Sequence, residues 1–204
     1  MPIVVTTSPA VFASASDIAS RLGVTFTTAE QAQADAFCGD ATELIRDYCR
    51  QDITAATGIT MDREAPGGPW LDLPQRPVTG VTSVAVNGQT VTDYSQIGDR
   101  LYRVYGWRWP SVDTIPPLAI YGLKSTVHVV YDAGYPEVPG VVHATCVRMV
   151  LRAMDNPTGL DQAGIDDYTP RFNDGRGGVF LTDDDKRAVR RYRRAAFSID
   201  QGRS

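Results

Sequence analysis

The spacing of apolar positions predicts a long amphipathic helix over residues 29–50. Apolar side chains recur there at steps of three and four residues, which is the spacing of one helix face. They are Phe37, Ala41, Leu44, Ile45 and Tyr48. Thr27 and Glu30 occupy the two reciprocal positions of a capping box, so the helix is predicted to begin at this point.

Three further helices are predicted elsewhere in the chain. Residues 14–22 should form a short helix, and residues 141–154 should form the most buried one, because they are apolar on almost every side. Arg148 and Arg152 share one stripe of that buried helix. A last helix should follow Thr182, since three aspartates after a threonine N-cap place negative charge at the positive end of the helix dipole.

Between residues 53 and 133 the apolar period changes to two, which indicates a β-rich segment. Asn87 and Gly88 tolerate the two positive φ angles of a type I′ turn, so they predict a tight hairpin between residues 81–86 and 89–91. Further strands are predicted at residues 70–73, 101–105 and 126–131.

These patterns predict an α+β fold, with a small helical core, a β-rich hairpin insertion and extended N- and C-terminal arms. We expect residues 1–27 to be an N-terminal arm with a short helix and residues 28–157 to be the core. Residues 158–204 should be a C-terminal linker and docking helix, because residues 160–178 are rich in Asp and Gly and poor in branched apolar side chains.

The long loop over residues 106–122 is predicted to be an interaction loop. It carries Trp107, Trp109 and Pro110, large apolar side chains with few neighbours in sequence that could bury them. Such aromatic side chains are typical anchors of protein interfaces. We therefore expect this loop to contact a neighbouring subunit or another protein.

Composition and charge limit the function classes. The 204 residues are 43% hydrophobic and 22% charged, enough apolar material for one packed core. A formal net charge of -4 disfavours a globally cationic surface for nucleic acid, so any such binding has to be local. The chain shows no signal-peptide pattern and no apolar run approaching the ~20 residues that span a bilayer.

Three cysteines, Cys38, Cys49 and Cys146, form no CxxC pair, which favours a reducing compartment such as the cytoplasm. Cys38 and Cys49 lie about 16 Å apart along the predicted helix, too far for a disulfide. All three are interpreted as small core residues.

The sequence predicts no catalytic, cofactor or metal site. His128 and His143 lack the spacing of metal ligands, and the aspartates that follow Thr182 are explained by the helix dipole. The glycine-rich stretches miss both common nucleotide-binding patterns, and no GxSxG elbow occurs. A small hydrolase remains a distant alternative that would need a catalytic arrangement around one of the histidines.

The sharpest local charge is the arginine cluster at the end of the last predicted helix. It consists of Arg187, Arg190, Arg191, Arg193 and Arg194. The arginines suit three roles: ending the helix, docking on an acidic protein surface, or contacting phosphates of a nucleic acid. The first two together are favoured over the third, because arginine forks bind carboxylates as well as phosphates.

Two stretches resemble a known family. Residues 73–88, LPQRPVTGVTSVAVNG, and residues 131–142, YDAGYPEVPGVV, occur in an order that resembles the head-tail connector (adaptor) proteins of long-tailed bacteriophages. The resemblance covers roughly residues 28–157, and in that family the two stretches frame the β insertion between two core helices. Neither stretch is a catalytic motif, so the resemblance concerns architecture.

The resemblance implies a structural virion protein at the head-tail interface, not an enzyme. Its subunits would form a twelvefold ring under the portal, contact the next neck or tail-completion protein, and extend a channel through which genomic DNA passes without being read. From the residues themselves, we expect the portal or partner interface to include Arg187, Arg190, Arg191, Tyr192, Arg194 and Phe197. We expect the subunit or neck interface loop to include Trp107, Trp109 and Pro110. Two alternatives stay open: another neck or tail-completion protein, and a local nucleic-acid binder that uses the C-terminal arginines.

Overall fold

The computed structural model describes residues 10–108, 125–155 and 178–194. They form two compact units. The helical unit comprises Ala10–Gln51 and the described residues from Val138 onward, and the β unit comprises the described residues of Asp52–Glu137. The β unit is inserted between two helices of the helical unit, so the predicted α+β class and β-rich insertion are confirmed.

The helical unit has four helices in its described part, all at predicted positions. They are α1 Ala15–Leu22, α2 Thr28–Cys49, α3 Gly140–Asp155 and α4 Asp183–Val189, the last followed by a 3-10 turn, Arg190–Tyr192. Capping boxes begin three of the helices, with Ser14 and Asp17 at α1, Thr27 and Glu30 at α2, and Thr182 and Asp185 at α4. Each box satisfies backbone N–H groups that a helix start would otherwise leave unpaired.

The helical core contains residues from all four helices. Ile18, Ile45, Cys146 and Val189 are fully buried. The backbone N–H of Phe12 donates to the Thr42 hydroxyl at 3.0 Å. The described residues ahead of α1, and α1 itself, are therefore packed into this unit and do not form a free arm; residues 1–9 lie outside the described part.

The β unit contains two antiparallel sheets. One has the strand order β1-β7-β3-β4 and the other β2-β6-β5. The strands are β1 Ala56–Glu64, β2 Trp70–Asp72, β3 Val78–Val86, β4 Gln89–Thr90, β5 Ser95–Ile97, β6 Arg100–Tyr102 and β7 Thr126–Ala133. Asn87 and Gly88 have φ angles of 49° and 79°, which confirms the predicted turn between β3 and β4.

The inner faces of the strands form one apolar core. Alternate residues are buried along β7, and Val127, Val129 and Tyr131 are fully buried. Leu71 of β2 and Leu101 of β6 face each other across the smaller sheet and belong to the same cluster. The period of two that predicted these strands is thus the alternation between core and outer face.

Candidate functional site

The C-terminal helix α4 is held by a buried carboxylate. Asp185 is 1% exposed, and its Oδ2 accepts from the backbone N–H of Thr182 at 3.2 Å while its own N–H donates to the Thr182 hydroxyl, also at 3.2 Å. The third residue of the helix thereby closes the capping box. The same carboxylate also reaches a second helix.

Two arginines of α3 bind Asp185. Arg148 Nη2 lies 3.2 Å from Oδ1, and Arg152 Nη2 lies 2.5 Å from Oδ2. Burial raises the pKa of Asp185, but hydrogen bonds from Thr182 and Arg152 outweigh burial, so the pKa lies below the ordinary aspartate value. The arginine stripe seen in the sequence of α3 therefore anchors α4.

The structure differs from the predicted docking arm over residues 178–194. Val189 and Tyr192 are buried, and Gln51 Nε2 donates to the Tyr192 carbonyl oxygen at 2.6 Å. The backbone N–H of Arg194 donates to the Cys49 carbonyl oxygen at 2.9 Å. This part of the C-terminal segment belongs to the helical core because its apolar side closes over the end of α2, so Tyr192 is not available as a partner contact.

Of the other predicted interface residues that the structure describes, Arg187, Arg190 and Arg191 are exposed and Arg194 is half-buried. Arg193, which belongs to the same arginine cluster, is also exposed. Arg187 pairs with Asp184 at 2.9 Å, and both side chains are more than three-quarters exposed. The Arg193 guanidinium lies 5.0 Å from the Tyr48 ring centroid, and that of Arg191 lies 4.7 Å from the Tyr192 ring centroid. Four arginines therefore present charge at one end of the helical unit.

Phe197 of the predicted interface lies outside the described residues, as do Trp109 and Pro110 of the predicted interaction loop and the linker over residues 160–177. Their predicted roles stay predictions.

Trp107 is a core residue, which corrects its assignment to an interaction surface. Its side chain is fully buried, and Nε1 donates to the Pro69 carbonyl oxygen at 2.9 Å. Its ring centroid lies 6.4 Å from that of Tyr94. The indole is buried by residues distant in sequence, which an argument from neighbouring positions could not find.

An exposed apolar surface that the sequence did not predict lies beside Trp107. Val104 is 69% exposed and Tyr105 62% exposed, on a turn closed by a hydrogen bond from the Gly106 N–H to the Arg103 carbonyl oxygen. This turn ends the predicted strand at Tyr102. Arg103 itself is buried, and its Nε lies 3.0 Å from the Asp93 carboxylate, which fixes the turn.

The outer face of the smaller sheet also carries aromatic side chains. Trp70 of β2 is opposite Tyr102 of β6, and their ring centroids lie 4.9 Å apart. The Arg100 guanidinium lies 5.8 Å from the Trp70 ring centroid and pairs with Asp72. Exposed aromatic and arginine side chains are the types enriched at protein interfaces.

The titratable groups form no arrangement with evident chemistry in the described part of the chain. His128 Nδ1 lies 2.7 Å from Asp62 Oδ1, and His143 Nε2 lies 3.6 Å from Asp17 Oδ2, at half-exposed positions. No group of three residues suited to hold a metal ion occurs among residues 10–108, 125–155 and 178–194. Within the same ranges, no helix has the length and apolarity needed to cross a membrane.

The three cysteines are free and buried, as predicted. Burial raises the pKa of Cys49 to about 11. Hydrogen bonding with Cys146, together with burial, also raises the pKa of Cys38. Cys38 and Cys49 are therefore inert core groups rather than nucleophiles.

No family model and no curated protein matches the sequence. Solved structures do match over the whole chain. A chain in the neck of an empty gene transfer agent (GTA) particle, computed with C6 symmetry, is 15% identical with a TM-score of 0.58, and 100% of each chain is covered. A chain in the neck of the native particle, computed with C12 symmetry, is 14% identical with a TM-score of 0.53, again with 100% of both chains covered.

A third match, in the virion of the native particle, is 16% identical with a TM-score of 0.61 and covers 98% of both chains. Identities at this level show a common fold. The two neck structures and the virion thus each contain a chain with the fold found here.

Proposed function

We propose that this protein is a structural virion protein of the neck, a head-to-tail adaptor whose subunits form a ring between the portal and the tail. The observation that carries the proposal is the likeness to chains of particle necks over 100% of both chains. A match of that extent includes the inserted β unit as well as the helices. The residues that resemble phage adaptors, 73–88 and 131–142, include β3 with its hairpin turn and the passage from β7 into α3, and they support the same role.

The symmetries favour a ring of twelve. A chain of this fold occurs in a neck computed with C12 symmetry and in one computed with C6 symmetry. Twelve equivalent subunits satisfy both, because sixfold rotation is contained in twelvefold rotation. Closed rings of this kind are built from heterologous contacts, in which each subunit offers two different faces.

The adaptor role defines the partners. The ring would contact the portal on one side and the next neck or tail-completion protein on the other. Genomic DNA would pass through its channel without sequence-specific binding. This role requires surfaces rather than catalysis, and we assign the protein no reaction. The exposed arginines at the end of α4 and the aromatic face around Trp70 and Tyr105 are the surfaces that the described residues offer.

Mass photometry of the purified full-length protein tests the proposal, alone and with the portal protein encoded in the same genome. Twelve chains of 22.2 kDa give a ring of about 270 kDa. We expect uniform particles of that mass, or their appearance when portal is added. A protein that stays monomeric and does not bind portal would overturn the adaptor role.

The nucleic-acid alternative has weaker support, because aspartates lie among the exposed arginines of the C-terminal segment. Asp183 pairs with Lys186 and Asp184 pairs with Arg187, so charges of both signs alternate on the outer side of α4. A phosphate-binding surface would be uniformly basic. DNA binding that weakens steeply with salt and disappears in Arg190→Ala/Arg194→Ala would favour this alternative.

A further inference from the structure

The outward side of α2 carries a row of acidic side chains. Asp40, Glu43 and Asp47 are all exposed and follow one another at steps of three and four residues, so they line one face of the helix. We call these three residues the acidic stripe. Glu43 pairs with Arg46 at 2.8 Å, whereas the Asp40 and Asp47 side chains make no hydrogen bond or ion pair with the described part of the chain. Leu44, 37% exposed, lies beside them.

The acidic stripe points away from the helical core. At 100° per residue, its mean direction lies about 170° around the axis from that of the buried residues Cys38, Ile45 and Cys49. The other helices of the unit pack on that buried side. Cys49 Sγ lies 3.9 Å from the Val189 carbonyl oxygen, which puts the end of α4 there.

Positive charge is exposed at α4 and the 3-10 turn of the same unit. Helix α4 turns Asp185 and Val189 inward, so Arg187 lies on its outer side, and Arg190 of the 3-10 turn is exposed as well. Together with Arg191 and Arg193 they form what we call the arginine surface. Each helical unit thus presents an acidic stripe on α2 and a group of exposed arginines at α4 and the 3-10 turn.

We infer that the arginine surface of one copy contacts the acidic stripe of the next copy in the ring. The inference rests on the proposed ring, whose heterologous contacts require two different and mutually complementary faces on every subunit. Arginine forks match carboxylates in geometry as well as charge. The Arg191 and Arg193 guanidinium groups already stack on tyrosine rings, which lowers the entropy lost when a partner is bound. The portal is the competing partner of these arginines.

Charge reversal tests the contact in the full-length protein. One variant, Asp40→Lys/Asp47→Lys, reverses two charges of the acidic stripe, and the other, Arg187→Glu/Arg190→Glu, reverses two charges of the arginine surface. All four side chains are exposed, so circular dichroism and thermal melting should show folded protein in each case. We expect mass photometry to show loss of the ring in either variant alone. An equimolar mixture should restore it, because alternating subunits pair opposite charges at every contact and twelve is an even number.

A matched control carries the same change in net charge elsewhere. Glu137→Lys/Asp155→Lys reverses two exposed acids outside both surfaces and should retain the ring. Rings that persist in both reversed variants, or that fail to return in the mixture, would overturn the contact while leaving the adaptor role standing. Rings that form but no longer bind portal in the Arg187→Glu/Arg190→Glu variant would assign the arginines to the portal instead. If the wild-type protein forms no ring with or without portal, the adaptor role fails, and this contact fails with it.

Discussion

Arg152 Nη2 donates to Asp185 Oδ2 across 33 positions of sequence, at 2.5 Å. The Asp185 side chain is 2% exposed, whereas that of Arg152 is 35% exposed, so the pair couples a buried anion to a cation that water still reaches. The carboxylate also completes the cap of α4. One side chain therefore both starts the helix and fixes it to α3, which makes it the point at which the C-terminal segment can be tested.

Asp185→Asn should destabilise the protein by about 1–3 kcal/mol, because the amide removes the charge that binds Arg148 and Arg152. The partial exposure of both arginines keeps the loss below that of a fully buried pair. Urea unfolding measures this loss in the free energy of unfolding. Asp184→Asn, at a position 88% exposed, is the matched control and should cost less than about 0.5 kcal/mol. Equal losses in the two variants would contradict the anchoring role.

The stabilisation by Asp185 should also depend on pH. Its pKa in the folded protein lies below the ordinary value of 3.8, so the unfolded state binds more protons as the solution is acidified. The stabilisation is complete above pH 3.8 and is lost as the pH falls through the lower, folded-state pKa. The difference in unfolding free energy between wild type and Asp185→Asn should shrink over that acidic interval. A difference that stays constant there would show that charge is not the cause.

Gly134→Ala should be strongly destabilising. Gly134 has a φ of 106°, and a Cβ there would lie 2.2 Å from the Thr54 carbonyl oxygen, a backbone atom that cannot move aside alone. We expect a loss of about 3 kcal/mol or more in thermal or urea unfolding. Gly39→Ala is the control, because Gly39 lies within α2 with open space around its Cβ position. That variant should gain up to about 1 kcal/mol.

Trp107 and Tyr105 should respond oppositely to truncation. Trp107→Ala empties a fully buried site and should cost about 3–5 kcal/mol. Tyr105→Ala removes a side chain that is 62% exposed and should change the free energy of unfolding by less than about 0.5 kcal/mol. Chemical denaturation of the two variants measures both. A small loss of stability in Trp107→Ala would contradict the core position of Trp107 and favour its role as a surface anchor.

Local sequence signals predicted the elements of this fold well. Thr27 with Glu30 marked the start of α2, and Asn87 with Gly88 marked the hairpin, because capping and turn geometry involve only residues near one another in the chain. The alternation that predicted β7 is confirmed by its burial pattern. Signals of this kind need no knowledge of the tertiary structure.

The candidate surfaces were harder to predict, because they depend on contacts between distant positions. Trp107 is covered by residues near Pro69, and Asp185 is held by Arg148 and Arg152, so neither environment could be found from neighbouring residues. The sequence did carry a partial signal for the contact with Asp185, because Arg148 and Arg152 share one stripe of an otherwise apolar helix. Buried helices rarely carry cations without a partner, and the three acids that begin α4 were among the candidates downstream.

The β unit leaves and rejoins the helical chain at neighbouring points. Ala55 donates its N–H to the Tyr135 carbonyl oxygen at 2.8 Å, and Ala56 is paired with Ala133, so the two connections enter side by side. Opposite residues of an antiparallel pair have Cα atoms about 5 Å apart. Because this strand pair fixes both ends of the insertion, the β unit can change in sequence independently of the helical unit. Its loops and strands can lengthen, shorten or diverge while α2 and α3 keep the same connection.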